Sequence, residues 1–383
     1  MANDTSSAPA SMLAAPTVAT CENGHRAVVA GPAELPAVVE RVLADFVREE
    51  SAALMAVDSA LQPLVAAARA AVLGGGKRVR PLFAYWGWRS AAGPHAPLHR
   101  VLPALAALEL LHAFALVHDD VMDRSATRRG RPTAHRQLAA AHATQRLRGD
   151  ADRFGDAGAI LVGDLCLVWA DRLMARADVP AAVLATARAA YDRMRVEAVA
   201  GQFLDVLGDH ARTWSPERAL RTARLKTAGY TATWPLHFGA ALAGSGGAAF
   251  AHGPLGRAFT NYGLAVGEAF QLRDDLLGLY GEPAVTGKPV GDDLGKPTML
   301  LLLARQAGTA AQRAELDAIL AAPRPDVARL AAAVRVTGAA EQLSDMIGER
   351  VADARAALAA APMPEVVRDG LGELAATVAW RAA

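Results

Sequence analysis

Residues 101–123 are apolar on almost every side of a helix until the last turn, which reads HDDVMD over 118–123. A helix that is apolar all round has to be enclosed by other helices. The other apolar residues are mostly Ala, Leu and Val, and only 5% of the chain is aromatic. That composition favours closely packed helices over sheets, so the sequence predicts an all-α protein.

Helical spacing of apolar residues continues along most of the chain. No Pro/Gly/Ser-rich linker divides it, so one large domain over 34–383 is predicted, preceded by a disordered tail over 1–33. A basic run punctuated by Gly and Pro, 128–133, breaks the pattern, and the apolar spacing of 34–72 stops at the glycines 74–76. Further helices are predicted at about 157–177, 181–207, 216–232 and 255–279, and several beyond Pro297.

Net charge and cysteine content limit which binding partners and which cellular compartment are expected. With 40 Lys+Arg against 39 Asp+Glu, the net charge of +1 gives no reason to expect nucleic acid as a partner. Cys21 and Cys166 cannot build a disulfide framework, which favours a reducing, cytoplasmic compartment. Residues 227–256 lack charge over more than the roughly 20 residues that span a bilayer, but Pro and repeated Gly interrupt them. We therefore expect a buried core helix followed by a loop, and no stable membrane insertion.

Acidic residues end two apolar helical stretches. Asp119 and Asp123 are four residues apart and about 40° apart around a helix, so they project side by side, whereas Asp120 points about 100° away. Two carboxylates on one face beside an apolar core require a positive charge between them, and a hard divalent cation such as Mg²⁺ supplies it. Asp274 and Asp275 form a second pair, which we interpret as the facing wall of the same metal site.

Basic residues accompany these acids. Residues 74–81 read GGGKRVRP, residues 128–132 read RRGRP, and Lys226, Lys288 and Lys296 add single charges. Glycine lets the backbone approach an anion closely. Arg and Lys beside metal-binding carboxylates are typical of diphosphate recognition, in which a metal neutralises one side and guanidinium groups bind the other. No Ser or Thr follows Lys77, so the glycine run is not a Walker A loop.

In this order the motifs resemble those of the trans-isoprenyl diphosphate synthases, or polyprenyl synthetases, over residues 35–370. The matching elements are GGKRVRP (75–81), DDVMD (119–123), RRGRP (128–132), GD (163–164), GQFLD (201–205), KT (226–227), FQLRDD (270–275) and the loop beginning GKPVGDDL (287–294). The resemblance implies a single large helical bundle of the isoprenoid synthase type with a central cavity. It also implies a homodimer.

The resemblance further implies head-to-tail prenyl transfer from an allylic diphosphate, such as dimethylallyl, geranyl or farnesyl diphosphate, to isopentenyl diphosphate. Asp119, Asp123 and Asp274 would hold Mg²⁺, and these aspartates with Lys226 would be the catalytic residues. Apart from the metal, the allylic diphosphate would be bound by Arg128, Lys226, Thr227, Gln271 and Lys288, and isopentenyl diphosphate by Lys77, Arg80, His112 and Arg129.

Helix geometry adds expectations for two histidines and for product length. His112 lies two helical turns before Asp119 and can face the cavity, whereas His118 is interpreted as structural. Phe114 and Ala115 lie about one turn deeper than Asp119, where a growing prenyl chain would press against them. The large Phe114 then makes a floor beside the small Ala115. In the family this arrangement resembles geranylgeranyl diphosphate synthases, with farnesyl and farnesylgeranyl products left open.

The sequence departs from the family pattern at two places, and two rival functions stay open. Gly278 stands where a third aspartate is common, which predicts weaker metal binding, and a shortened loop over 291–298 leaves the reach of Lys296 open. A class I terpene cyclase would share the fold and the DDVMD motif, but it would not need the basic residues for a second diphosphate. A non-catalytic regulatory subunit would be expected to lose the metal carboxylates, which are present.

Overall fold

The computed structural model describes residues 31–93, 95–211, 213–281, 296–322 and 325–380. The predicted tail over 1–33 lies outside these residues except for its last three, and Lys288 and most of the loop before Pro297 also lie outside them. In the described residues the fold is all-α, as the sequence predicts. The helices are α1 Leu35–Val57, α2 Gln62–Leu73, α3 Val79–Ala92, α4 Leu102–Met122, α5 Ala134–Thr144, α6 Ala151–Met174, α7 Ala181–His210, α8 Pro216–Ala223, α9 Trp234–Leu242, α10 Gly247–His252, α11 Pro254–Tyr280, α12 Met299–Ala307, α13 Ala310–Leu320, α14 Val327–Arg335, α15 Ala339–Ala359 and α16 Glu365–Ala379.

Helix α4 is the central element of the bundle. Its buried residues include an unbroken run over 104–111, and it packs against α1, α3 and α6. By length and composition alone α4 could cross a membrane, but 61% of its most apolar window is buried inside the protein. The prediction of an enclosed helix over 101–123 is therefore confirmed.

A π-helical segment, Arg224–Thr233, joins α8 to α9. The sequence predicted one continuous helix over 216–232, and the register change at Arg224 makes that prediction wrong in detail. Glycines on both neighbouring helices let the segment approach closely. A Cβ at Gly201 of α7 would lie 2.2 Å from the backbone nitrogen of Lys226, and one at Gly267 of α11 would lie 2.1 Å from Cα of Ala228.

Two shorter segments also differ from the expected pattern. The stretch 34–72 is interrupted at Asp58, whose extended backbone ends α1 and whose carboxylate accepts a hydrogen bond from the Ala60 amide at the start of the 3-10 turn Ser59–Leu61. The basic run forms a two-residue antiparallel ladder, β1 Thr127–Arg128 with β2 Arg131–Pro132. Arg129 and Gly130 both have positive φ, as a tight hairpin turn requires.

Helix α11 contributes to two hydrophobic clusters. Its N-terminal half packs into the main core with α1–α7 and α9, and its C-terminal half packs against α12–α15 in a second cluster that includes Leu272, Leu300 and Leu343. The two clusters meet along one helix, and the acidic residues Asp274 and Asp275 lie in its C-terminal half.

Helices α3 and α9 touch backbone to backbone through glycine. A Cβ at Gly239 would lie 1.9 Å from the carbonyl oxygen of Ala84, and one at Gly87 would lie 2.1 Å from that of Leu236. We expect Gly239→Ala to lower the free energy of unfolding by about 1–3 kcal/mol or more, because the helices must separate to admit a methyl group. Urea denaturation checks this.

The matched control is Gly348→Ala in α15, where nothing lies within 4 Å of the added Cβ. There the substitution relieves the cost of a helical glycine and should raise stability by up to about 1 kcal/mol. Equal effects at the two positions would contradict the proposed close packing of α3 on α9.

Candidate active site

A cavity of about 1310 Å³ lies between α3, α4, α7, the π-helical segment, α11 and the start of α12. Pockets for one small ligand usually measure about 300–1,000 Å³, so this cavity has room for two. Its wall includes every predicted site residue that the structure describes: Lys77, Arg80, His112, Phe114, Ala115, Asp119, Asp123, Arg128, Arg129, Lys226, Thr227, Gln271 and Asp274. Lys288 lies outside the described residues.

Three carboxylates converge at the end of α4. Oxygens of Asp119, Asp123 and Asp205 all lie within 4.8 Å of one another. Asp119 and Asp123 share a face of α4, as their spacing predicts, and Asp205 comes from α7. Asp274 lines the same cavity but is not a member of this group.

Two lysines lie among these carboxylates. Lys226 Nζ lies 3.0 Å from Asp119 Oδ1 and 2.6 Å from Asp205 Oδ2. Lys296 Nζ lies 2.8 Å from Asp123 Oδ2 and 2.9 Å from Asp205 Oδ2. Lys296 therefore reaches the acidic group despite the shortened loop, and its reach to the substrate phosphates stays a prediction.

The ionisation of the three acids depends on the balance between burial and these ammonium groups. Burial opposes ionisation of Asp119 and Asp205, but Lys226 and Lys296 outweigh it and lower both pKa values. Burial and the adjacent Asp119 charge raise the pKa of Asp123 despite Lys296. Burial likewise opposes the charge on Lys226, but Asp119 and Asp205 outweigh it and raise its pKa. The charged form of each residue in this group is therefore stabilised by its oppositely charged neighbours.

The β1–β2 hairpin delivers an arginine to the same helix end. Arg128 Nε donates to Asp120 Oδ1 at 2.8 Å, and its Nη2 lies 3.4 Å from Asp119 Oδ2. Asp120 thus points away from the metal-binding face, as its position on the helix predicts, and anchors Arg128 instead. On the other side Gln202 Nε2 donates to Asp119 Oδ1 at 3.0 Å.

The second acidic pair is tied to the start of α12. Thr227 Oγ1 donates to Gln271 Oε1 at 2.8 Å, and Gln271 Nε2 donates to Asp275 Oδ1 at 3.0 Å. Asp275 Oδ2 accepts a hydrogen bond from the Met299 amide at 2.8 Å. This chain of bonds connects the π-helical segment, α11 and α12 next to Asp274.

A second cluster of positive charge lies in the wall of the same cavity. Arg80 stacks on the ring of Tyr230, with the guanidinium carbon 4.1 Å from the ring centroid, and its Nη2 donates to Thr231 Oγ1 at 3.2 Å. Its buried Nε has no hydrogen-bond partner among the described residues. Arg129 donates to the carbonyl of Gly75 and so joins the hairpin to the glycine loop that carries Lys77.

The glycine loop is fixed to α4 by a buried ion pair. Arg78 has a left-handed backbone (φ 48°), and its Nη1 lies 2.8 Å from Oε2 of Glu109, whose side chain is 3% exposed. Nε of Arg78 also donates to Glu40 at 2.9 Å. Burial opposes the charge on Arg78, but Glu109 and Glu40 outweigh it and raise its pKa. The loop that carries Lys77 and leads into α3 with Arg80 is therefore anchored to α4 and α1.

His112 faces the cavity beside this cluster. Its Nδ1 lies 2.8 Å from the hydroxyl of Tyr230. Burial, reinforced by the charge of Arg80, lowers the pKa of His112 well below its ordinary value. The imidazole is therefore neutral near pH 7.

Sequence reasoning missed four contributors to the site. Asp205 and Gln202 stand in the GQFLD motif but received no role, and Glu109 and Tyr230 were not singled out. The GQFLD motif ends at Asp205, and this match could have marked Asp205 as a candidate site residue. Tyr230 and Glu109 give no such signal, because their roles depend on which helices pack together.

The comparisons with known proteins all point to the same protein family. A family model described as Polyprenyl synthetase matches residues 62–337. The chain is 35% identical to a geranylgeranyl diphosphate synthase of Mycobacterium tuberculosis over 70% of this chain and 69% of the relative. It is 36% identical to a geranylfarnesyl diphosphate synthase of Aeropyrum pernix over 61% of this chain and 68% of the relative.

A solved structure gives the same result. A geranylgeranyl pyrophosphate synthase of Corynebacterium glutamicum, complexed with isoprenyl diphosphate and magnesium, is 38% identical. It superposes with a TM-score of 0.86 over 92% of this chain and all of that one.

Removing Asp205 should weaken cation binding, because two carboxylates would then remain in the group. We expect Asp205→Asn to reduce affinity for Mn²⁺, measured by titration calorimetry on the purified protein, by about tenfold or more. The control is Asp209→Asn, one turn further along α7, which makes the same charge change on an exposed residue outside the group of three. If Asp205→Asn bound Mn²⁺ as tightly as the unmodified protein, Asp205 would not be a cation ligand. Its role would then be only to pair with Lys226 and Lys296.

Proposed function

The chain belongs to the polyprenyl synthetase family, and on that premise we propose that it makes geranylgeranyl diphosphate from isopentenyl diphosphate and allylic diphosphates. It is a trans-prenyltransferase. The observation that carries the proposal is the pair of charged regions in one cavity. One combines carboxylates with Lys226 and Arg128, and the other is predominantly basic around Lys77 and Arg80.

The two regions suit two different diphosphates. The allylic diphosphate is assigned to the acidic region, where Asp119, Asp123 and Asp274 would hold Mg²⁺. Arg128, Lys226, Thr227 and Gln271 are the proposed contacts to its oxygens, together with Lys288. Isopentenyl diphosphate binds at Lys77, Arg80, His112 and Arg129. Nδ1 of His112 lies within hydrogen-bond distance of the Tyr230 hydroxyl, and we propose the tautomer in which that hydroxyl donates to Nδ1 and Nε2 carries the proton that is donated to a phosphate oxygen.

The cluster of three carboxylates is suited to Mg²⁺ because all its donor atoms are oxygens. Asp119, Asp123 and Asp205 offer hard oxygens within 4.8 Å of one another, and Asp274 lines the same space. When bound, Mg²⁺ would supply positive charge that stabilises the departing diphosphate. Lys226 and Lys296 occupy the same region, and a cation would take over part of their role as counter-ions.

The residues of this chain then support a simple sequence of bond changes. Arg128 and Lys226 stabilise the negative charge that develops on the allylic diphosphate as its C–O bond breaks. Lys77 and Arg80 hold isopentenyl diphosphate so that its double bond attacks the allylic cation and forms the new C–C bond. The intermediate loses a proton to the released diphosphate. The apolar wall, including Phe114 and Ala115, excludes the water that would quench the cation.

One assay distinguishes the proposed function from the two rival functions, a terpene cyclase and a non-catalytic regulatory subunit. The purified chain is incubated with Mg²⁺, labelled isopentenyl diphosphate and each of dimethylallyl, geranyl and farnesyl diphosphate, and the products are separated by chromatography. We expect label in geranylgeranyl diphosphate with every primer. Products without label would indicate a cyclase, and no diphosphate release would indicate a subunit that needs a partner. A labelled farnesyl or farnesylgeranyl end product would correct the chain length alone.

Phe114 is proposed as the floor that stops elongation. It is half-buried, lines the cavity and lies beside Ala115 on the first turn below Asp119. We expect Phe114→Ala to lengthen the main product by about one isoprene unit or more, because the removed ring leaves room for the growing chain. Chromatography of products at saturating isopentenyl diphosphate measures this, and an unchanged spectrum would overturn the assignment.

We also propose that the protein is a cytoplasmic homodimer. Exposed apolar side chains follow one face of α6 and one face of α7, and the two helices are joined by an ion pair between Asp171 and Arg195. On α7 the exposed residues Val196, Val199, Phe203 and Leu207 recur at helical spacing, and on α6 Phe154, Leu161 and Val168 recur every seven residues. A continuous exposed apolar face of this kind is typical of a protein interface. Cys166, a buried free thiol, agrees with a reducing compartment.

A charge in this face should dissociate the dimer. Val196 is 70% exposed, so Val196→Glu should fold normally but bury an unpaired carboxylate on association. We expect sedimentation velocity to report monomers at concentrations where the unmodified protein is dimeric. The control is Val366→Glu on α16, an equally exposed valine (63%) away from this face. Dissociation by both variants, or by neither, would contradict the assignment.

A further inference from the structure

His118 precedes the first aspartate of the acidic group and lines the cavity, but the reaction above gives it no role. We propose that His118 is a positioning residue that sets product length by holding the ring of Phe114 in place. The inference rests on the proposed function, because it takes Phe114 as the floor of the prenyl cavity.

The two rings are direct neighbours on one helix face. Phe114 and His118 are four residues apart on α4, and their ring centroids lie 4.8 Å apart at an interplanar angle of 65°. This is an edge-to-face arrangement, which is favourable for aromatic pairs. Phe114 is only half-buried, so the imidazole is a substantial part of what limits its side-chain rotation.

The imidazole is itself anchored to a different helix. His118 Nε2 lies 2.9 Å from the backbone carbonyl of Ile160 in α6. A carbonyl can only accept, so Nε2 carries the proton and donates it. The carboxylate of Asp164 lies 3.7 Å from the same nitrogen. The ring is therefore tied to α6 and cannot follow Phe114 if the latter is pushed aside.

Helix α6 has a glycine where the imidazole rests. A Cβ at Gly163 would lie 2.2 Å from both Cδ2 and Nε2 of His118. Any larger residue would displace the ring from its position beside Phe114. Gly163 and the Ile160 carbonyl thus fix His118 against α6, and His118 in turn limits the movement of the Phe114 ring on that side.

The consequence is a specificity effect rather than a catalytic one. A growing chain that reaches Phe114 can continue only if the ring rotates away, and that rotation must break the contact with His118. The interaction energy of an edge-to-face pair is large enough to change the fraction of rotated Phe114 rings by about threefold to tenfold. Loss of His118 should therefore release longer products while Phe114 is still present.

The test compares product distributions of His118→Ala, Phe114→Ala and the double variant. Each full-length enzyme receives the same ratio of isopentenyl to farnesyl diphosphate, and products are quantified by liquid chromatography with mass spectrometry. We expect His118→Ala to raise the ratio of longer to main product about threefold to tenfold. The double variant should match Phe114→Ala, because His118 acts only through that ring. The KM for isopentenyl diphosphate should be unchanged.

A matched control and a second variant guard against a general folding effect. His142 of α5 also lies near a carbonyl (Nε2 to Arg148 O, 3.1 Å) and near an aromatic ring (Phe154, 5.1 Å), but outside the cavity. His142→Ala should leave the product ratio unchanged. Gly163→Ala, which displaces the imidazole from the α6 side, should lengthen products as His118→Ala does.

The contrary outcomes separate the two proposals. If Phe114→Ala lengthens the product but His118→Ala and Gly163→Ala do not, the role of His118 is overturned and the floor stands. If Phe114→Ala has no effect, the floor itself is wrong. If the two single effects add in the double variant, His118 limits the chain directly and not through Phe114.

Discussion

The ion pairs at the end of α4 are the constraint on which the rest of the structure depends. Asp119 and Asp123 sit where an almost wholly apolar helix ends, and charges in such surroundings are costly unless they are paired. Lys226 from the π-helical segment and Lys296, three residues before α12, supply that pairing, with Asp205 between them. Elements far apart in sequence must therefore meet at one point. On the proposed function, the same point would bind the allylic diphosphate and Mg²⁺, which would replace some of the lysine contacts.

Close backbone contacts make that meeting possible. Gly201 and Gly267 let the π-helical segment lie directly against α7 and α11, which brings Lys226 within reach of Asp119. A π-helical register turns side chains differently from an α-helix, and such segments are frequent at functional sites. Here it directs Lys226 and Thr227 to the acidic region and Tyr230 and Thr231 to the basic one. One short segment thus lines both halves of the cavity.

The sequence predicted the fold class and most of the site because those depend on local patterns. The enclosed helix over 101–123 follows from its apolar surface, and the shared face of Asp119 and Asp123 follows from spacing alone. The π-helical register at Arg224 did not follow, because it depends on glycines of two other helices. The same holds for Glu109, whose pairing with Arg78 requires knowing that the glycine loop folds back onto α4. The approach of Lys296 to Asp123 could not be inferred from a loop length.

On the proposed function, helix α4 links the reaction to the length of the product. Its last turn holds the acidic group, and Phe114 and Ala115 one turn earlier line the apolar part of the same cavity. Because both sit on one rigid helix, the distance between the reacting carbon and the floor is fixed by helix rise, about 1.5 Å per residue. Each condensation lengthens the chain from a fixed starting point, so elongation ends when the chain meets the floor. On this proposal, product length depends on side-chain size and mobility on one face of α4, and it can change without disturbing the ion pairs at the end of that helix.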